Sequence, residues 1–224
     1  PVMQISCRDR NKIALQSDIL GANALGIKNI LCITGDSVKA GDQQTAKTVH
    51  EFESVRLLQQ IKAFNKGIDP TLGELTDKKT VIFPGAAADP GCRNIRSLTN
   101  RMRKKKEAGA KFIQTQMVME KENLIEFCEK ISRPLEIPVI AGVFLLKSYK
   151  NALFINKYVP GATIPESILN RLRIAKDPLK EGIKIAAEQA HDFINIADGI
   201  HLMAVKAEHL IPEILEEAGL NLEY

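Results

Sequence analysis

Apolar residues recur along this chain in two rhythms, and the two alternate. Short, mostly apolar runs at 2–7 (VMQISC), 29–34 (NILCIT), 80–86 (TVIFPGA), 111–117 (KFIQTQM), 137–144 (IPVIAGVF) and 199–205 (GIHLMAV) read as strands. Runs of this kind belong to strands buried on both faces of a parallel sheet. Between them the period changes to that of a helix. Residues 10–25 carry Ile13, Leu15, Ile19, Leu20 and Ala24 at helical intervals and stop at Gly26, while 50–64 places Phe52, Val55, Leu58 and Ile61 three apart. Gly67, Pro70 and Gly73 mark a loop before the third strand. Helices are expected over 94–107, 120–132, 148–157, 164–173, 178–195 and 207–218.

Six strand-then-helix units result, which means either a doubly wound sheet or a (β/α) barrel. The longer loops, SCRDRN, TGDSVKAGDQQT, PGAAADPG, QTQMVME and FLLKSYK, all follow strands. In both architectures ligands bind beyond the carboxyl ends of the strands, so these loops hold the candidate chemistry.

At 224 residues the chain is read as one domain, 1–224; its 45% hydrophobic and 26% charged content is ordinary for a globular protein. The net charge of +4 is too small to argue for a nucleic-acid partner. The one dense basic run, RMRKKK (101–106), has no interleaved aromatics for base stacking and reads as a solvated helix face. Cys7, Cys32, Cys92 and Cys128 have no zinc-like or redox spacing. No apolar run approaches the ~20 residues of a membrane helix and no secretory signal is evident, so a cytoplasmic location and no membrane partner are expected. His50, His191, His201 and His209 lack metal-ligand spacing, so no metal is expected, and there is no nucleophile elbow. The abrupt start in a strand, without an initiator methionine, reads as a piece of a longer protein.

Three stretches hold polar residues where a buried strand ends. Asp36 follows the strand at 29–34; it is either a turn or capping aspartate, or a carboxylate aimed into a site. TGDSVKAGD lacks the glycine spacing of a dinucleotide-binding turn. Gln116 needs hydrogen-bond partners, which either loop backbone or a ligand rich in donors and acceptors, such as a pterin, would supply. Arg8, Asp9 and Arg10 read as an internal ion-pair cluster.

Five stretches taken in order resemble the methylenetetrahydrofolate reductase family: ISCRDRN, LGANALGIKNILCITGDSVKAGD, KKKEAGAKFIQTQ, IPVIAGVFLLKSYKNALFINKYVPGATIPESI and GIHLMAV with ILEEAGL. The likeness is closest to the branch fused to homocysteine methyltransferase domains or acting in one-carbon pathways. It implies an α/β fold of the TIM-type (β/α)8 barrel class, with six βα units in this chain. It implies flavin-dependent reduction of 5,10-methylenetetrahydrofolate to 5-methyltetrahydrofolate, with NAD(P)H as co-substrate, in methionine biosynthesis. The flavin is FAD or FMN. Asp36 matches the strand-end aspartate near flavin and pterin, where a carboxylate stabilises the cationic iminium form of the substrate. Gln116 matches the substrate-binding glutamine, and Tyr149 falls where a phenylalanine often stacks on folate or nicotinamide. For the flavin, the resemblance implies backbone at Thr34, Gly35 and Asp36, with His50 near a tyrosine position and Lys105 pairing with the cofactor's phosphate. Gln4 replaces a histidine of many relatives, and PGAAADPG lacks an aromatic that often covers the flavin.

The six units align with the third to eighth of the family, so the segment carrying its glutamate general acid and a flavin-binding threonine is absent from the sequence read here. The alternative function is a non-catalytic flavin- or folate-binding paralogue, acting as a homo-oligomer or with a partner subunit. A lyase or aldolase is disfavoured, because Lys206 is the only near candidate for a Schiff base at a strand end.

Overall fold

The computed structural model describes residues 1–75, 79–159 and 161–220. Its strands are β1 (Val2–Ser6), β2 (Asn29–Ile33), β3 (Ile68–Asp69), β4 (Gly73–Glu74), β5 (Phe83–Ala88), β6 (Phe112–Met117), β7 (Val139–Phe144) and β8 (Gly199–Met203). Its α-helices are α1 (Lys12–Ala24), α2 (Ser54–Phe64), α3 (Ile95–Ala108), α4 (Lys121–Phe127), α5 (Arg133–Leu135), α6 (Tyr149–Tyr158), α7 (Glu166–Ile174), α8 (Pro178–Ile194) and α9 (Ile211–Glu217). The six principal strands are hydrogen-bonded in chain order, β1-β2-β5-β6-β7-β8. A doubly wound sheet reverses its order at a switch point, whereas this order never reverses, so the winding is that of a TIM-type α/β fold.

Chain contacts divide into two compact units, Pro1–Ala87 with Arg96–Ile113, and Ala88–Ile95 with Gln114–Tyr224. In the first, β1, β2 and β5 run parallel, with Ile5 opposite Cys32 and Cys32 opposite Ala86. These three residues are fully or almost fully buried. The apolar stripe of α2, Leu57, Leu58, Ile61 and Phe64, is buried as well, and each such side chain contributes roughly 1.5–3 kcal/mol. Helix α2 begins at Ser54 rather than at 50, because the Thr34 hydroxyl accepts from the Ser54 amide at 3.2 Å and sets the first turn there.

Two further departures in this unit have a side chain as their cause. β5 begins at Phe83 instead of at 80. Asn65 takes over the polar groups before it, accepting from Thr80 Oγ1 at 2.7 Å and from the Ile82 amide at 3.0 Å, and donating to the Ile82 carbonyl at 2.8 Å. Asn23 accepts from the Val81 amide at 2.9 Å. Groups satisfied by side chains have no call on a ladder partner. The loop around Pro70 contains the small antiparallel pair β3–β4, closed by buried Asp69, which accepts from the Thr71 and Leu72 amides and from Gln16.

In the second unit β7 pairs in parallel with β8, Gly142 opposite His201. Val139, Ala141 and Val143 are buried, as are Ile183, Ala186, Ala190 and Phe193 along α8. α8 approaches the segment after β7 closely at Gly182, where a Cβ would collide with the Leu146 carbonyl oxygen. Burial on both faces, expected for every strand, does not hold at β8: all five of its residues are half-buried, because β8 ends the strand order and has one strand neighbour. The helix expected over 120–132 runs as α4, then a π turn over Cys128–Ser132, then α5. Pro134 lacks the amide that would continue the regular ladder, and Ser132 Oγ donates to the Ile137 carbonyl at 2.7 Å beyond the break.

Asn65→Ala removes three hydrogen bonds at once and is expected to lower unfolding stability by about 2 kcal/mol. Urea denaturation measures the change, and an unaltered midpoint would refute this account of where β5 begins.

Candidate functional site

At the carboxyl ends of β1 and β2 the first unit gathers charged residues around one tight crossing. Gly35 has φ +93, a left-handed value that suits glycine, and a Cβ there would run into Ser6 Oγ and Arg8 Cβ. The chain leaving β2 therefore passes against the chain leaving β1. Ser6 Oγ accepts from the Arg8 amide at 3.2 Å, and Arg8 Nη1 donates to the Asp36 carbonyl at 3.3 Å. Arg8 also holds Asp9 through two bonds, Nε to Oδ1 at 2.7 Å and Nη2 to Oδ2 at 2.9 Å. The bond from Arg8 keeps the Asp9 carboxyl below its ordinary range. Val49 and His50 donate their amides to the Arg8 carbonyl, which brings His50, itself at φ +43, to the same crossing. Of the expected ion-pair cluster, Arg8 pairs with Asp9, while Arg10 reaches away to Asp18 at 2.6 Å.

Asp36 is exposed, and among the described residues its carboxylate has no hydrogen-bond or ion-pair partner; only its main-chain oxygen is held. Thr34 is committed elsewhere, to the first turn of α2. Gln4 lies on β1 opposite Leu31, two residues from Ser6 and so on the same face of the strand, with its side chain exposed.

Lys105 departs from the solvated helix face expected of the basic run. Helical spacing aligns it with buried Leu98 and Met102, so α3 turns it inward, and its amine donates to the Ala87 carbonyl at 2.6 Å, near the carboxyl end of β5. Burial, and then the nearby Arg101 charge, pull its pKa down to about 8. Buried Cys32 lies near enough to act on it electrostatically. Burial in turn pushes the thiols up, Cys7 to about 11 and Cys32 further.

The second unit holds Gln116 and Tyr149. Gln116 Oε1 accepts from the Met117 amide at 3.3 Å, and its amide nitrogen has no partner among the described residues. Beside it, Gln114 Nε2 lies 2.9 Å from His201 Nδ1. Burial lowers the pKa of His201. Tyr149 opens α6 just after the capping residue Ser148, whose hydroxyl accepts from the Asn151 amide at 3.1 Å. Its ring packs with Met117, Met119 and Phe144 against the cluster of Leu146, Ile155 and Ile164. Spacing along the sequence weighs His201 only as a metal ligand and passes over Gln114. The signal that finds Gln114 is the period of two along β6, which puts it on the face of Gln116.

Among the described residues no group of three His, Cys, Asp or Glu side chains could hold a metal ion, and no helix is long and apolar enough to cross a membrane.

Residues 1–219 match the family described as methylenetetrahydrofolate reductase. Methylenetetrahydrofolate reductase 2 of Schizosaccharomyces pombe is 30% identical over 238 residues, covering 97% of this chain and 35% of its own length. A probable methylenetetrahydrofolate reductase (NADPH) of Caenorhabditis elegans is 24% identical, covering 98% of this chain and 32% of its own. The chain thus spans about a third of the length of the curated relatives it matches. Among solved structures, an uncharacterized Clostridium thermocellum protein that binds two copies of 5-methyl-5,6,7,8-tetrahydrofolic acid superposes with a TM-score of 0.52. The match covers 97% of this chain and 93% of that one at 14% identity, a likeness of fold.

The Lys105 amine gives a pH test of this geometry. It titrates near 8 in the folded state against an ordinary 10.5, so the unfolded chain binds more protons between those values and stability rises with pH across that window. Lys105→Met is expected to abolish the rise. Urea midpoints measured from pH 7.5 to 10.5 test it, and parallel profiles for the two proteins would refute the buried placement.

Proposed function

The chain belongs to the methylenetetrahydrofolate reductase family, and from that premise we propose that it takes part in flavin-dependent reduction of 5,10-methylenetetrahydrofolate to 5-methyltetrahydrofolate, with NAD(P)H as the hydride donor. The observation that carries the reading is the state of Asp36. Its main chain is fixed, by Gly35 packed against Ser6 and Arg8 and by the bond from Arg8, while its carboxylate is left unpaired in a protein that pairs Asp9, Asp18 and Asp69.

A fixed, unpaired carboxylate stabilises positive charge that develops close to it. The methylene carbon accepts hydride as a cationic iminium, formed as its bond to N10 breaks and N10 takes a proton from water, so Asp36 lowers the cost of opening the five-membered ring. The Arg8 guanidinium would neutralise that carboxylate if it were free to reach it. Its bidentate bond to Asp9 absorbs it, and only a main-chain contact reaches Asp36. Gln116, whose amide nitrogen has no partner among the described residues, reads the pterin, and the Tyr149 ring, packed against the cluster of Leu146, Ile155 and Ile164, supplies an aromatic wall.

The residues of the first unit fit a flavin. Toward its carboxyl end β5 carries Ala86 and Ala87, which present little beyond backbone to a flat ring. Backbone at Thr34, Gly35 and Asp36 would meet the ring edge, with Gln4 and His50 flanking it. Lys105, near the carboxyl end of β5, would meet the phosphates, FAD and FMN both providing one. A bound flavin supplies the ring that takes hydride from NAD(P)H and returns it to the folate.

The full chain supplied with FAD is expected to show a flavin visible band that NADPH or NADH bleaches and methylenetetrahydrofolate restores. Colour without bleaching would identify a binding paralogue, and failure to take up either FAD or FMN would overturn the reading. Asp36→Asn is expected to slow folate-dependent reoxidation at least several-fold with the urea midpoint unchanged; equal rates would remove the role assigned to Asp36.

A further inference from the structure

Gln114 and His201 meet although β7 lies between their strands in the sheet order. Neighbouring strands are about 4.8 Å apart, so the two backbones stand roughly 10 Å from each other and the side chains must cross the intervening strand. Gly142 is the register partner of His201, and a Cβ there would stand 2.7 Å from the Gln116 carbonyl oxygen and 3.0 Å from Met203 Cε. Thr115 fixes β7 at this point: its hydroxyl accepts from the Gly142 amide at 2.9 Å and donates to the Gln116 carbonyl at 2.7 Å.

The bond assigns the proton on the ring. An amide nitrogen only donates, so Nδ1 of His201 accepts and Nε2 carries the hydrogen. Burial disfavours a second proton, and the Gln114 amide, which cannot accept from a protonated Nδ1, acts in the same direction. Three polar groups then remain without a partner among the described residues: the Nε2–H of His201, the Oε1 of Gln114 and the amide nitrogen of Gln116. Two donors and an acceptor, carried by residues two apart on β6 and by His201 beside Gln114, complement the edge of a heteroaromatic amide. In such an edge a ring carbonyl or ring nitrogen stands next to an N–H or an amino group.

We propose that His201 is a further ligand-contacting residue of the folate site, donating from Nε2 to an acceptor on the pterin edge, and that Gln114 holds it in that tautomer from across β7. This rests on the folate reading above and extends it from one pterin-reading side chain to three. Gln114 then also accepts from the ring N–H or amino group beside that acceptor.

The test uses the full chain and 5-methyltetrahydrofolate as the probe. His201→Phe removes the donor and is expected to weaken binding about tenfold, as loss of one good hydrogen bond to a buried partner does. His201→Gln places an amide nitrogen close to the position of Nε2 and is expected to restore most of the affinity. Gln114→Ala is expected to shift the imidazole 15N resonances of His201 in the free protein, reporting a changed tautomer, and to weaken binding several-fold. In the wild-type chain, saturation with the probe is expected to move the Nε2 resonance of His201, a readout that needs no variant to fold. Wild-type binding with His201→Phe equally tight, or an Nε2 resonance that stays in place at saturation, overturns the proposal and leaves the folate reading standing. A wild-type chain that does not bind the probe overturns both.

Discussion

The passage of the chain past itself at Gly35 is the constraint on which the candidate chemistry depends. β1 and β2 run parallel and in register, so Ser6 faces Ile33, and the residues that follow both strands emerge together at one end. Side chains on both would not fit. Glycine at 35 lets the second strand leave beneath Arg8, and the left-handed turn it adopts there aims the next residue outward. The consequence is electrostatic as much as steric. Arg8 is pinned by Asp9 and by the Asp36 carbonyl, so the backbone of Asp36 is anchored by a cation whose charge is already matched. A carboxylate held in place without being neutralised is useful to a reaction that passes through a cation.

How far this was legible in the sequence depended on which rhythm carried the information. Mostly apolar runs located all six principal strands, because they stand apart from the helical periods between them. They overstated burial at β8, since a run of residues does not tell whether its strand ends the sheet order. Element ends were set by single polar side chains reaching across many residues of sequence, Thr34 for α2 and Asn65 for β5, and no local pattern announces such a reach. The π turn had a visible cause in Pro134. The RMRKKK run misled for a simpler reason: charge was read along the sequence, whereas the helix sorts residues by face, and Lys105 falls on the face of Leu98 and Met102.

The candidate site divided along similar lines. Asp36 and Gln116 stood out because a polar residue at the end of an apolar strand is conspicuous. Gln114 was less so, being inside the run, and His201 was set aside because imidazole was weighed only as a metal ligand. What joins these two is a side-chain contact that passes over β7. Contacts over an intervening strand couple residues 87 apart in the chain, and periodicity carries no trace of them.

The polar side chains that set element ends and those of the candidate site differ in how they are matched. Asn65, Asp69, Ser132, Thr34 and Thr115 have their hydrogen-bonding groups matched within the chain, and each fixes a turn, a cap or a strand register. The Asp36 carboxylate, the Gln116 amide nitrogen and the Nε2–H of His201 belong to residues held by neighbours, yet these groups have no partner among the described residues. Leaving a group unmatched costs less where water reaches it, and these three are exposed or half-buried rather than enclosed. Solvation alone would allow them any orientation. What distinguishes them is that neighbours fix each one: Gly35 packed against Ser6 and Arg8 sets Asp36, Gln114 holds His201, and the Met117 amide holds Gln116, placements that solvation does not require.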